Sequence, residues 1–193
     1  MREAQIKRKT AETDITCLIN IDGQGMCKID TGIGFFDHLL YALGKHGLID
    51  ISLKIIGDLH VDGHHSAEDA GIVLGQAVAA ALGDKSGIQR VGSCFMPMDE
   101  ALAFCALDIS GRPYLKCDMA PMAPMVGTLD TQLAKEFFRA FAISSGITLH
   151  LNIQGDNAHH MLEAAFKALG RALCEAVGQN PRVKGIPSTK GVL

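Results

Sequence analysis

The sequence lacks the features that mark nucleic-acid-binding and membrane proteins. It contains no tryptophan, its aromatic content is only 5%, and its formal net charge is −3. There is no tract of basic residues and no apolar run long enough to span a bilayer. We therefore expect neither a nucleic-acid partner nor membrane association. With 193 residues and 48% hydrophobic residues, the chain can form one compact domain with a substantial core.

The six cysteines form no CxxC pair, and the first eight residues lack the apolar stretch of a signal peptide. This pattern favours reduced thiols in a cytoplasmic protein. A disulfide framework is the less favoured alternative. The cysteines lie at positions 17, 27, 94, 105, 117 and 174.

Hydrophobic periodicity predicts the same order of strands and helices in both halves of the chain. In the first half it predicts strands at 14–21 and 49–56 and helices at 35–45 and 67–82. In the second half it predicts strands near 100–109, 114–118 and 147–153 and helices at 129–144 and 161–177.

The two halves also share a sequence motif. His64-His65-Ser66-Ala67-Glu68 aligns with His159-His160-Met161-Leu162-Glu163, and at the same offset Leu74-Gly75 aligns with Leu169-Gly170. An internal duplication explains this agreement. We therefore predict an α/β fold, a two-layer sandwich of sheet against helices built from repeats at 1–92 and 93–193.

The repeated motif is His-His-x-x-Glu at the start of a predicted helix. Residues four apart share a helix face, so His64 with Glu68 and His159 with Glu163 could each hold one metal ion. The middle histidines of the two motifs, His65 and His160, point about a quarter-turn away and could reach a second ion supplied by the other half or by another subunit. A plain polar helix start would explain the acids through the helix dipole, but not the histidine doublets.

The expected ligands are nitrogen and oxygen atoms without thiolates. Such a set suits manganese, iron, cobalt or catalytic zinc, and the residues alone do not choose among them. His38 lies on the first predicted helix, and its counterpart in the repeat is Glu136. An isolated histidine on an apolar helix is commonly a core group, but the repeat favours ligation by His38. We assign no special role to His46, His60 and His150.

These residues leave two other function classes open. A two-metal hydrolase would use similar ligands to generate a metal-bound hydroxide. A metal store or sensor would use them without any reaction. Release of inorganic phosphate and metal content, respectively, would distinguish these classes.

Several longer motifs resemble one family. Five segments are similar to imidazoleglycerol-phosphate dehydratases. They are Gly32-Ile33-Gly34-Phe35-Phe36-Asp37-His38, the segment 57–69 around the first histidine doublet, the segment 107–114, the segment 158–164 around the second doublet and the terminal segment 187–193. The resemblance runs in order from about Arg8 to the last residue.

The resemblance implies a manganese enzyme of histidine biosynthesis that dehydrates imidazole glycerol phosphate to imidazole acetol phosphate. It implies two Mn²⁺ ions per active site and a homo-oligomer of 24 subunits with sites formed between subunits. The implied metal ligands are His38, His64, His65, Glu68, His159, His160 and Glu163, with Glu136 at a position that is histidine in many members. The dehydration needs a carboxylate to move the side-chain proton, and the candidate catalytic residues are Glu12, Glu68 and Glu163. Substrate contacts map to Glu12 and, for the phosphate, to Arg90, Arg112, Lys167, Ser188 and Lys190.

Overall fold

The computed structural model describes all 193 residues. The first half contains β1 (Glu3–Lys9), β2 (Thr13–Asn20), β3 (Cys27–Asp30), α1 (Gly34–Gly47), β4 (Asp50–Gly57) and α2 (His64–Leu82). The second half contains β5 (Val91–Met98), β6 (Ala101–Asp108), β7 (Tyr114–Met119), β8 (Met125–Val126), β9 (Leu129–Asp130), α3 (Leu133–Ser145), β10 (Thr148–Gln154) and α4 (Ala158–Val177).

The two four-stranded sheets have the same topology. Their strand orders are β1-β2-β4-β3 and β5-β6-β10-β7. In each sheet the first two pairings are antiparallel and the last is parallel. The predicted internal duplication and α/β class are therefore confirmed.

Alternating side chains fix which face of each sheet is buried. In β2, Ile15, Cys17 and Ile19 are buried, while the residues between them are exposed. The strands β4 and β6 show the same alternation. Each large aliphatic side chain removed from water contributes about 1.5–3 kcal/mol, so a slip of one residue in register would be costly.

The four helices lie between the two sheets. Helix α2 packs on β1 and β2, and α4 packs on β5 and β6. The halves meet through their helices, because α1 packs against α4 and α2 against α3. Each half is thus a two-layer unit of sheet and helices, as predicted.

Equivalent glycines allow the helices of the two halves to approach closely. A methyl group at Gly170 would overlap the carbonyl oxygen of Leu43 on α1. At Gly75, a methyl group would lie 2.7 Å from the carbonyl oxygen of Phe141 on α3. Both approaches are closer than van der Waals contact allows, so both crossings require glycine.

One predicted helix start is wrong. The segment 129–132 is not helical, because Leu129–Asp130 pairs with Met125–Val126 in a short hairpin and α3 begins at Leu133. Thr131 stabilises this hairpin by donating its backbone N–H to Pro124 and its hydroxyl to Ala123. The other predicted helices and strands agree with the structure to within three residues at their ends.

The outer strands β1, β3 and β5 were not predicted. Their inner faces are only half-buried, so their hydrophobic alternation is weak. Since β5 begins at Val91, we propose that the halves join in the loop at 83–90 rather than at the predicted boundary after residue 92.

All six cysteines are free thiols, and burial raises the pKa of Cys17 to about 12. None of the four helices combines the length and apolar character needed to cross a membrane.

Candidate active site

The helices bring both histidine motifs to one end of the helical layer. Each motif spans the first two turns of its helix, at the start of α2 and of α4. A shared groove lined by Ile33, Gly63 and Leu133 joins the starts of α1, α2 and α3. A hydrogen bond between His38 on α1 and Glu163 on α4 joins the other pair of helices. The N-terminal ends of all four helices therefore meet in one region.

Glu163 is the centre of the tightest histidine–carboxylate cluster. Its Oε2 lies 3.0 Å from Nε2 of His38 and 3.1 Å from Nε2 of His159. Its Oε1 lies 2.6 Å from Nζ of Lys167. Burial alone would raise the pKa of Glu163, but the hydrogen bonds from His38 and Lys167 outweigh it and lower that pKa to about 2. The carboxylate is therefore held in its charged form.

This cluster has the donor chemistry of a metal site. One ligand atom from each of His38, His159 and Glu163 lies within 4.8 Å of the others. That spread is close to the distance of about 4 Å that separates donors on opposite sides of one ion. Two imidazoles with one carboxylate, and no thiolate, suit a divalent metal of the manganese-to-zinc series.

The counterpart cluster of the first half is looser. His64 Nε2 lies 3.8 Å from Glu68 Oε2, so this pair shares a helix face as expected. Glu136 on α3 is the repeat counterpart of His38 on α1, but it contacts Arg139 on the next turn of α3. The two clusters are thus alike in position and different in geometry.

The middle histidine of each doublet is held by an acid outside its own His-His-x-x-Glu motif. His65 Nδ1 lies 3.0 Å from Asp58 Oδ2, and His160 Nδ1 lies 2.8 Å from Glu100 Oε2. These hydrogen bonds raise the pKa of both imidazoles. The His160 contact, together with the backbone N–H of Asn157, lowers the pKa of Glu100 to about 2.

Glu12 lies beside the first histidine doublet. Its Oε1 is 3.6 Å from Nε2 of His65, and about half of its side chain is exposed. It is therefore positioned at the cluster end of the molecule but has no buried partner that would immobilise it.

Four of the predicted phosphate contacts lie on segments that meet around Asp108. Arg90 donates from Nε and Nη2 to the two carboxylate oxygens of Asp108, at 2.7 and 3.0 Å, and from Nη1 to the carbonyl oxygen of Pro187. Arg112 Nη2 lies 3.8 Å from Asp108. Pro187 directly precedes Ser188, whose hydroxyl accepts the backbone N–H of Lys190.

This basic group lies far from Glu163 in the same chain. The backbone N–H of Arg90 donates to the carbonyl oxygen of Ala176, near the end of α4. Glu163 is in the first turns of that helix, so the two positions are about 20 Å apart at 1.5 Å per residue. Lys167 is separate from the other phosphate candidates, because it lies one turn from Glu163.

Sequence reasoning missed three residues of this region: Asp58, Glu100 and Asp108. Glu100 had a signal in the repeat, since it precedes β6 as Glu12 precedes β2. Asp58 lies in a segment that the motif comparison included, but its pairing with His65 depends on the turn between β4 and α2. Asp108 ends a strand with a buried face, and no spacing connects it to Arg90.

The fold and this site define an internally duplicated α/β protein with paired histidine–carboxylate clusters at its helix N termini. The family model for imidazoleglycerol-phosphate dehydratase matches residues 31–173. The imidazoleglycerol-phosphate dehydratase of Acetivibrio thermocellus is 54% identical over 193 residues, covering 100% of this chain and 99% of that protein. The one from Cereibacter sphaeroides is 56% identical over 195 residues, covering 100% of each chain.

Two solved structures of imidazoleglycerol-phosphate dehydratases are also similar to this chain. Imidazoleglycerol-phosphate dehydratase from Staphylococcus aureus has a TM-score of 0.84 at 38% identity, over 92% of this chain and 99% of that chain. The Pyrococcus furiosus enzyme in complex with (S)-C348 has a TM-score of 0.83 at 36% identity, over 97% and 100%. The chain belongs to the imidazoleglycerol-phosphate dehydratase family.

Proposed function

We propose that the protein dehydrates imidazoleglycerol phosphate to imidazole acetol phosphate in histidine biosynthesis. Family membership over most of the chain supports the substrate and the reaction. The observation that carries the chemistry is the cluster of His38, His159 and Glu163, which combines residues of both halves around one point. A cytoplasmic location is part of the proposal and is consistent with six free thiols.

The proposed cofactor is Mn²⁺, with two ions in each active site. Bound ions would supply positive charge that holds the imidazole ring through its nitrogens and favours loss of the ring proton. The first-half and second-half clusters would each contribute ligands, and their related positions in the repeat support two similar ion sites. The residues proposed to hold the ions are His38, His64, His65, Glu68, His159, His160 and Glu163, with Glu136 as an eighth candidate.

We propose that the active site forms between subunits. The substrate is about 10 Å long at about 1.5 Å per bond. It cannot extend from Glu163 to Arg90 of the same chain across about 20 Å. A neighbouring subunit that presents its own Arg90 and Arg112 to this cluster would complete the site. A closed homo-oligomer of 24 chains would provide such neighbours.

Glu12 is the proposed acid–base group. The reaction removes a hydroxyl and a carbon-bound hydrogen from adjacent side-chain carbons, giving an enol that becomes the ketone, with release of water. A half-exposed carboxylate beside His65 can accept that hydrogen as a proton and return a proton to the product. Glu68 and Glu163 are the alternatives, but Glu163 already binds two histidines and a lysine.

The cationic group around Asp108 is the proposed phosphate site. Arg90, Arg112, Ser188 and Lys190 would hold the phosphate away from the reacting carbons, and this binding energy would fix the orientation of the ring. Lys167 lies nearer to Glu163 and would contact the substrate between the two ends.

Metal removal tests the proposal directly. Protein treated with a chelator should lose formation of the ketone product, and added Mn²⁺ should restore it. Release of inorganic phosphate without ketone would instead identify a hydrolase. Bound metal without either product would identify a store or sensor.

A further inference from the structure

The middle histidine of each doublet is held through Nδ1 by a carboxylate. Asp58 accepts from His65 with both oxygens, at 3.0 and 3.1 Å, and Glu100 accepts from His160 at 2.8 Å. In both rings Nε2 points away from this acid. A second acid faces that nitrogen at a longer distance, 3.6 Å for Glu12 and 3.8 Å for Asp99 in the other half.

The two orienting acids come from different places in the repeat. Asp58 follows β4, whereas Glu100 lies in the turn between β5 and β6. The repeat counterpart of Glu100 is Glu12, because each immediately precedes the second strand of its hairpin. The counterpart of Asp58 is Asp156, because Gly57-Asp58 corresponds to Gly155-Asp156.

The role of orienting the middle histidine therefore belongs to different members of the duplicated acid pair in the two halves. In the second half Glu100 orients the histidine and also accepts the backbone N–H groups of Asp156 and Asn157. The side chain of Asp156 takes no part in these hydrogen bonds. In the first half Asp58 does the orienting, and Glu12 is left with only the longer contact to His65.

A carboxylate on Nδ1 fixes the tautomer of a histidine ring. It keeps the proton on Nδ1 and leaves the lone pair of Nε2 for a ligand, and it makes that nitrogen more basic. We propose that Asp58 and Glu100 are positioning residues that prepare His65 and His160 as Nε2 ligands, and that use of Asp58 in the first half frees Glu12 for proton transfer. This inference rests on the proposed function for the role of Glu12.

Alanine variants of the two orienting acids provide the test, with Asp156→Ala as the matched control. Mn²⁺ titration of metal-free protein by calorimetry should show a loss of affinity of about 10- to 100-fold for Asp58→Ala and for Glu100→Ala. Asp156→Ala and Glu12→Gln should bind Mn²⁺ within about threefold of wild type, since neither side chain orients a ring. The conservative variants Asp58→Asn and Glu100→Gln, which keep an acceptor oxygen, should fall between.

A second measurement needs neither metal nor activity. Histidine-selective ¹⁵N labelling of metal-free protein at alkaline pH should show His65 and His160 as Nδ1–H tautomers, and each alanine variant should lose this preference at one ring only. Thermal unfolding identifies any variant that fails to fold, and its conservative partner then carries the test.

Unchanged Mn²⁺ affinity in both alanine variants, or an equal loss in Asp156→Ala, would overturn the positioning role. A loss of Mn²⁺ affinity in Glu12→Gln as large as that in Asp58→Ala would overturn the assignment of the orienting role to Asp58 rather than to Glu12. Both measurements omit the substrate, so these results are independent of whether the wild-type enzyme forms the ketone. Failure of ketone formation alone would remove the proposed function and leave the positioning role intact.

Discussion

Mixed oligomers of two inactive variants would reveal whether each active site takes residues from two subunits. Glu163→Gln should disable the histidine–carboxylate cluster, and Arg112→Ala should disable the phosphate group around Asp108. In one chain the two regions are about 20 Å apart along α4, twice the length of the substrate. Each variant alone should therefore be inactive for a different reason.

The expected activity of the mixture follows from random assembly. In equal mixtures, about one site in four combines wild-type Glu163 from one subunit with wild-type Arg112 from another. If both residues came from the same subunit, no site would be complete. Co-expression with two affinity tags and sequential purification would isolate the mixed oligomers, and ketone formation would be measured per subunit.

A second mixture supplies the control. Wild type mixed equally with the Glu163→Gln, Arg112→Ala double variant should again give about a quarter of wild-type activity for sites shared between subunits, but about half for sites within one subunit. Activity in the first mixture no greater than that of the separate variants, together with half activity in the second, would refute the inter-subunit site.

Three further predictions concern packing, phosphate binding and acid stability. Gly170→Ala should destabilise the fold by about 1–3 kcal/mol, measured by urea unfolding, because its methyl group would overlap the Leu43 carbonyl oxygen. Gly34→Ala is the control and should change the urea midpoint little, because the space around Gly34 is open. Lys190→Ala should lower kcat/KM by about 10- to 100-fold, as expected for loss of a charged hydrogen bond to the phosphate. Lys184→Ala on the same segment is the control, and an unchanged kcat/KM in Lys190→Ala would remove the tail from the site. Glu100→Gln should lower the Tm of the metal-free protein between about pH 4.5 and 6.5, where both partners are charged. Because the pKa of Glu100 is lowered, its contribution to the free energy of unfolding is lost as the pH falls from the ordinary pKa of 4.5 toward about 2. Because the pKa of His160 is raised, its contribution is present in full below the ordinary pKa of 6.5 and is lost as the pH rises through the raised value. A Tm difference that persists unchanged at alkaline pH would show that charge is not the cause.

The features that were predictable from the sequence are those set by local periodicity. The spacing of His159 and Glu163 is enough to place both on one helix face, and the match of Leu74-Gly75 with Leu169-Gly170 is enough to indicate the duplication. The structure adds the reason for that second match, since Gly75 and Gly170 are two points where helices of opposite halves touch.

The unpredicted features depend on turns and on chain direction. The pairing of Asp58 with His65 needs the path of the turn after β4, and that of Glu100 with His160 needs the β5–β6 turn to lie beside the start of α4. The separation of Arg90 from Glu163 follows from the length of α4 and from the hydrogen bond at Ala176. Weakly alternating outer strands such as β1 carry too little hydrophobic signal to be recognised.

Crystals of Mn²⁺-loaded protein, measured at the manganese absorption edge, test the central claim most directly. The account predicts one anomalous peak among His38, His159 and Glu163 and a second at the pair of His64 and Glu68, with Arg112 of a neighbouring subunit facing the same space. Fully loaded protein whose anomalous peaks lie away from both histidine motifs would contradict it.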